Sequence, residues 1–200
     1  KTLIALLLIQ EYAQQQKQAV FLVPTVPLAL QQASTLRTNL PFTVGLACEN
    51  HHSSEDARKR LAECNIIVAT HGAFLDLLSH YADLFSMQKF GLLILDECHN
   101  CTKKSPYATI LRDFYHSTSK NQRPHVLGLT ASPLINVKKN HTEQQLSNQL
   151  HELETLLDCK ITSLDALGLD EDDEDQTVLQ DTAIQQDLQY QGRSLRNSNS

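Results

Sequence analysis

The sequence predicts a three-layer α/β domain with a mostly parallel sheet. Three observations predict it: five short apolar runs, helical patterns alternating with them, and one apolar run that stops abruptly at two acids. Runs of four to six aliphatic residues read as strands buried on both faces. Strands that alternate with helices form βαβ units, with helices on both sides of the sheet.

The elements follow in order. Residues 3–19 form a helical stretch leading into a first strand over 20–23. The Pro24-Thr25-Val26-Pro27 turn precedes a helix over 28–36, and 44–47 reads as the second strand. Ser53 or Ser54 caps a helix over 55–64, with Asp56 placed as the capping-box partner of Ser53. Strands over 66–69, 92–95 and 126–129 are separated by a helix over 73–79 and another from Pro106 through Phe114. Thr142 then caps a long helix with Gln145 as its reciprocal partner, and Leu146, Leu150, Leu153 and Leu157 form one apolar stripe.

The composition changes after Leu167. Asp170 to Asp175 are six consecutive acids and residues 193–200 are polar, so this segment buries too little surface to offset its ordering entropy. The expected organisation is a folded domain over 1–160 and a disordered acidic linker or tail over 161–200. The net charge of −6 divides accordingly: 15 Lys/Arg against 14 Asp/Glu in residues 1–160, and 2 against 9 in residues 161–200. The folded part can therefore offer a locally basic surface to nucleic acid. No window approaches the roughly 18 apolar residues of a membrane span, and no signal peptide is read. An odd number of cysteines without regular spacing predicts reduced thiols in an intracellular protein, cytoplasmic or nuclear. Lys1 replaces an initiator Met and the chain opens mid-pattern, as expected of a piece of a longer protein.

The run Leu92-Leu-Ile-Leu-Asp96-Glu97-Cys98-His99 carries the chemistry. It sets two carboxylates at the C-terminal end of a strand, where parallel sheets bind ligands. A nucleotidase needs one carboxylate to hold Mg²⁺ and another to orient and deprotonate the attacking water. Lys1-Thr2, directly before a helix, fits the end of a phosphate-binding loop, and equally a solvated lysine beside a capping threonine. Cys98 and Cys101 form a C-x-x-C, but no second pair stands at zinc-ribbon spacing. His51-His52, Lys103-Lys104 and Lys138-Lys139 read as solvated loop or surface residues.

These residues resemble, in order, the motifs of the first RecA-like domain of superfamily 2 helicases. Lys1-Thr2 resembles the end of motif I, and Phe21-Leu-Val-Pro24-Thr25-Val-Pro-Leu28-Ala-Leu-Gln31-Gln32 resembles motif Ia. Ile67-Val-Ala-Thr70-His-Gly72-Ala-Phe-Leu-Asp-Leu-Leu resembles motif Ib, Asp96-Glu97-Cys98-His99 motif II, and Gly128-Leu-Thr130-Ala131-Ser132-Pro133 motif III. The Asp-Glu-Cys-His spelling with Thr-Ala-Ser-Pro is similar to the branch holding Dicer and the antiviral double-stranded RNA sensors. Within it, Dicer-like proteins of fungi and related lineages look nearest. The segment from His151 to Ser163 resembles a leucine-rich helix followed by a short strand at Lys160-Ile-Thr.

The resemblance implies a RecA-like P-loop NTPase that uses ATP and Mg²⁺. Lys1 would bind the β/γ phosphates, Thr2 and Asp96 would hold Mg²⁺, and Glu97 would activate water. His99, Thr130 and Ser132 would couple the nucleotide to RNA and to a second RecA-like domain in the full chain. Thr25, Gln31, Thr70 and Gly72 would contact the backbone of double-stranded RNA. A double-stranded RNA sensor, a DNA-branch helicase and a non-catalytic RNA clamp are the alternative readings.

Overall fold

The alternation of apolar runs and helices is what the chain folds into. The structure is a computed structural model that describes residues 2–49, 54–102, 104–134 and 142–162. Five strands, β1 (Gln18–Val23), β2 (Val44–Ala47), β3 (Ile66–Thr70), β4 (Phe90–Asp96) and β5 (His125–Leu129), form one sheet in the order β2-β3-β1-β4-β5. Every pairing is parallel. The helices are α1 (Thr2–Gln14), α2 (Val26–Asn39), α3 (Glu55–Ala62), α4 (His71–His80), α5 (Pro106–Thr109) and α6 (Glu143–Leu157).

Two apolar layers enclose the sheet because alternate strand residues point to opposite faces. Ala19, Phe21, Val23, Ile66, Val68, Leu92 and Ile94 pack under Ala5 and Ile9 of α1 and Ala29, Ala33 and Leu36 of α2. Val20, Leu22, Ile67, Ala69, Leu93 and Leu95 pack against α4, α5 and the end of α6 on the other face. Residues of β1, β3 and β4 are consequently buried almost without exception, which is why these strands read as continuous apolar runs. Among the described residues, no helix is long and apolar enough to cross a membrane.

The local structure departs from the sequence expectation in three places, two in helices and one in an expected strand. Ser54 caps α3 by accepting from the Ala57 N–H at 3.2 Å, so the third helical position is Ala57 and Asp56 has no reciprocal role. The helix begun at Pro106 does not run on as one α-helix: α5 widens into a π-helical stretch over Ile110–Tyr115, closed by His116 N–H donating to the Leu111 carbonyl at 2.8 Å. No strand forms over residues 160–162. His51, His52, Ser53, Lys103, Lys138, Lys139 and the acidic run lie outside the described residues.

The capping box of α6 forms as the spacing predicts, with Thr142 accepting from Gln145 N–H and Gln145 accepting from Thr142 N–H. Its opposite end is tied down more tightly. Asp158 adopts the left-handed conformation (φ 53°) just past the helix, and Cys159 N–H closes back on the Glu154 carbonyl at 3.1 Å. The Asp158 carboxylate takes bonds from Tyr115 Oη and Arg123, while His116 Nε2 meets the Leu156 carbonyl at 2.9 Å. Of the predicted stripe, Leu153 and Leu157 are buried, whereas Leu146 and Leu150 are only partly covered. Leu157→Ala should therefore cost about 2–5 kcal/mol and Leu146→Ala under about 1 kcal/mol. Urea unfolding of the two variants checks that order.

Candidate nucleotide site and nucleic-acid edge

The strand order places the site. Strands β3 and β2 follow on one side of β1, and β4 and β5 on the other, so the order reverses between β1 and β4. A crevice opens at such a reversal, beyond the carboxyl ends of the strands. Asp96, the last residue of β4, stands there beside the end of β1. Helix α1 packs on β1 and β4 and returns to β1 through a turn at 15–17, so its first residue, Thr2, faces the same edge. Gln16 (φ 59°) makes that turn in the left-handed conformation, with Lys17 N–H bonded to the Tyr12 carbonyl at 3.0 Å. Lys1 lies outside the described residues.

The backbone turns sharply at the second acid. Glu97 is in the left-handed region (φ 50°, ψ 47°) and opens a 3-10 turn over Cys98–Asn100. For a residue with a Cβ this conformation costs about 1–2 kcal/mol. Local bonds hold it: Glu97 N–H donates to Asp96 Oδ1 at 3.0 Å, and Asn100 N–H donates to the Glu97 carbonyl at 2.9 Å. Such strain is typical of sites where a side chain must be aimed rather than merely accommodated.

His99 joins this acid to β5. Its Nδ1 lies 2.8 Å from Thr130 Oγ1 and 3.2 Å from Glu97 Oε2. Thr130 Oγ1 donates its own proton to the Ser132 carbonyl at 2.7 Å and accepts from Ser132 N–H at 3.3 Å. With the Thr130 proton committed, the imidazole must be the donor, so the network assigns the Nδ1–H tautomer. Asp96, Glu97, His99, Thr130 and Ser132 are thus one connected cluster.

The remaining candidates occupy the neighbouring edge formed by β1 and β3, where Val23 pairs with Thr70. Thr25 is exposed at the start of α2 and makes no side-chain cap, so its hydroxyl is not spent on the helix. Gln31 is exposed one turn further on. Thr70 differs: it is 4% exposed and caps α4 by accepting from Ala73 N–H at 3.3 Å. Gly72 is half-buried, and a Cβ there would meet nothing nearer than Glu49 Oε1 at 3.8 Å.

Two residues at this crevice escaped the sequence reading. Tyr107, fully buried, places its Oη 2.9 Å from the Asp96 carbonyl and 3.2 Å from the Leu22 carbonyl. Burial pushes its phenol well above the usual range, which keeps the proton on the oxygen. His71, the first residue of α4, stands edge-on to the Tyr107 ring at 4.8 Å between centroids. Its Nδ1 is buried and has no hydrogen-bond partner. Their only sequence signals were a Pro-Tyr pair at a helix start and a histidine inside motif Ib.

The Cys98-x-x-Cys101 pair belongs to the core. Both thiols are buried and free, and burial pushes Cys98 up to about 12 and Cys101 higher still. Protonated thiols of this kind are poor nucleophiles and poor ligands. Among the described residues, no three His, Cys, Asp or Glu are grouped to hold a metal.

The DEAD/DEAH box helicase family model matches residues 1–140. Endoribonuclease Dicer homolog 1 of Arabidopsis thaliana is 37% identical over 174 residues, covering 82% of this chain and 9% of that protein. Dicer-like protein 2 of Aspergillus oryzae is 35% identical over 161 residues, covering 74% of this chain and 12% of that one. The chain therefore spans a small part of these relatives, and the plant match stands above the fungal one, against the expected leaning toward fungi. Among solved structures, the helicase domain of Hef from Pyrococcus furiosus superposes with a TM-score of 0.62 at 28% identity, covering 83% of this chain and 34% of that one.

Two outcomes follow from this geometry. Glu97→Gly removes the left-handed penalty, so thermal unfolding should show a fold at least as stable as the native one, by up to about 1 kcal/mol. His71 is held below the ordinary imidazole range, chiefly by burial and against the pull of Glu49. Its contribution to stability is therefore present above about pH 6.5, the unfolded value, and is lost as pH falls through the depressed folded one. Urea midpoints between pH 7.5 and 5 should fall less steeply in His71→Asn than in the native protein.

Proposed function

The chain belongs to the DEAD/DEAH box helicase family, with the RecA-like fold of that family, and on that premise we propose that it is the ATP-binding half of an RNA-dependent ATPase/helicase domain in a Dicer-like endoribonuclease. Its substrate in this reading is double-stranded RNA, processed in RNA silencing. The similarity to plant and fungal Dicer proteins supports the assignment. The observation that carries it is the connected Asp96–Glu97–His99–Thr130 cluster at the switch point of the sheet.

The donor set fits ATP·Mg²⁺. Mg²⁺ is a hard cation that takes one or two carboxylates plus substrate phosphates, and Asp96 with the Thr2 hydroxyl is such a sparse oxygen set. Lys1 and the start of α1 bind the β/γ phosphates, and Asp96 and Thr2 hold the cation. Held by these residues, Mg²⁺ would supply charge neutralisation on the phosphates. Glu97 orients the attacking water and takes its proton; its strained backbone and the His99 bond fix where that carboxylate sits. His99 carries the position of Glu97 to Thr130 and Ser132, which face the second RecA-like domain in this reading.

Thr25, Gln31 and Gly72, with the backbone N–H groups at the start of α4, contact phosphates and sugars of the RNA without reading bases. Thr70 joins them while holding the first turn of α4: its oxygen accepts from Ala73 N–H, and its own O–H can still donate to a phosphate. Residues 1–160 form the first RecA-like domain and 161–200 an acidic linker. Five free cysteines fit a reducing compartment, the cytoplasm or nucleus. The alternative reading is a DNA-branch helicase of the same superfamily; the match to a helicase domain fits either one.

ATP hydrolysis by the full-length protein with double-stranded RNA or branched DNA decides between them. We expect RNA to stimulate, and Glu97→Gln to lower turnover by about 10²–10⁴-fold while ATP still binds. The 200-residue chain alone should hydrolyse ATP negligibly, because in this reading a second RecA-like domain completes the site. Stimulation by branched DNA only, or full activity in Glu97→Gln, overturns the reading.

A further inference from the structure

The Tyr107 hydroxyl sits where the strand order reverses, between the ends of β1 and β4. The β1–β4 ladder ends at Leu22–Leu95, and beyond it the carbonyls of Leu22 and Asp96 both lie within reach of the one phenolic proton. One O–H cannot fully satisfy two carbonyls, so a proton placed on one is withdrawn from the other. The shorter bond, 2.9 Å, goes to Asp96, and the longer, 3.2 Å, to the residue before the end of β1. This gives the crevice an element with two arrangements. One favours the strand that carries the cation-holding acid. The other favours the strand that leads to Thr25.

The ring of the same tyrosine touches the other side of the edge. His71 packs edge-on against it, and its Nδ1 makes no bond that would anchor the imidazole elsewhere. His71 lies between Thr70, which caps α4, and Gly72, in the turn assigned above to the RNA backbone. A displacement of that turn must move the His71 ring, and the Tyr107 ring has little room because it is fully buried. The most compliant degree of freedom is the direction of the Tyr107 hydroxyl.

From this juxtaposition we infer that Tyr107 is a positioning residue that transmits nucleic-acid binding at the Thr70–Gly72 edge, through His71, to the Asp96 end of β4. The inference rests on the function proposed above. It assigns Tyr107 no contact with nucleotide or RNA. Tyr107→Phe keeps the ring against His71 and removes only the shared proton, whereas His71→Asn removes the ring contact and keeps the proton.

The test is ATP hydrolysis by the full-length protein and both variants, each with and without double-stranded RNA, alongside RNA affinity. The native protein reads the functional proposal: without RNA-stimulated hydrolysis, that proposal fails by itself. Given native stimulation, Tyr107→Phe should lower the ratio of stimulated to basal turnover about tenfold, within the range coupling residues reach. RNA affinity and basal turnover should stay within about twofold of native. His71→Asn should lower the ratio in the same direction, and it carries the test if Tyr107→Phe fails to fold. An unchanged ratio in the folded variants, or equal losses of basal and stimulated turnover, overturns the inference, because a merely structural tyrosine gives one of those results.

Discussion

The parallel pairing of β1 with β4 is the constraint on which the site depends. Both strands are apolar on both faces, so they can lie only in the middle of a sheet covered by helices on each side. Pairing them reverses the strand order, and the reversal opens the crevice that Asp96 closes. Polar chemistry is confined to the ends of such strands, because a carboxylate within them would be buried unpaired. Asp96 and Glu97, the helix start at Thr2 and the edge that carries Thr25 and Thr70 therefore share one rim of the sheet as a consequence of hydrophobic burial.

At that rim the structure spends conformational energy on direction. Glu97 is held in a left-handed turn by its neighbours' backbone bonds, and its carboxylate meets His99. The same Nδ1 proton, shared with that carboxylate, points at Thr130, 31 residues away in sequence but adjacent across β4 and β5. The Ser132 carbonyl completes the chain by taking the Thr130 proton. Each bond settles the donor direction of the next, so motifs II and III behave as one unit rather than two neighbouring loops.

Much of this was legible in the residues. All five strands announced themselves: in β1, β3 and β4 burial on both faces leaves an uninterrupted aliphatic run, and the partly covered edge strands β2 and β5 keep shorter ones. The Thr142–Gln145 capping box was legible for a different reason: its partners are three residues apart and need no tertiary information. What was not legible depends on partners distant in sequence. Asp56 looked like a capping residue only while Ser53 and Ser54 were interchangeable; the choice of Ser54 dissolved the box. Leu146 and Leu150 keep the periodicity of a buried stripe, yet only the half of α6 beside the π-helical stretch is covered. Tyr107 carried no motif at all. Its place at the crevice comes from two carbonyls, one of them 85 residues away.

The fastening of α6 has a mechanical consequence. Its last turn is riveted through Asp158 to Tyr115 and Arg123, and through Leu156 to His116, while its first turns are lightly covered. Tension arriving along the chain from residue 160 onward meets those rivets before it meets the helix. The load path then enters the π-helical stretch that begins one turn after Tyr107. A tug on the trailing chain would thus be felt near motif II, with α6 carrying almost none of the strain.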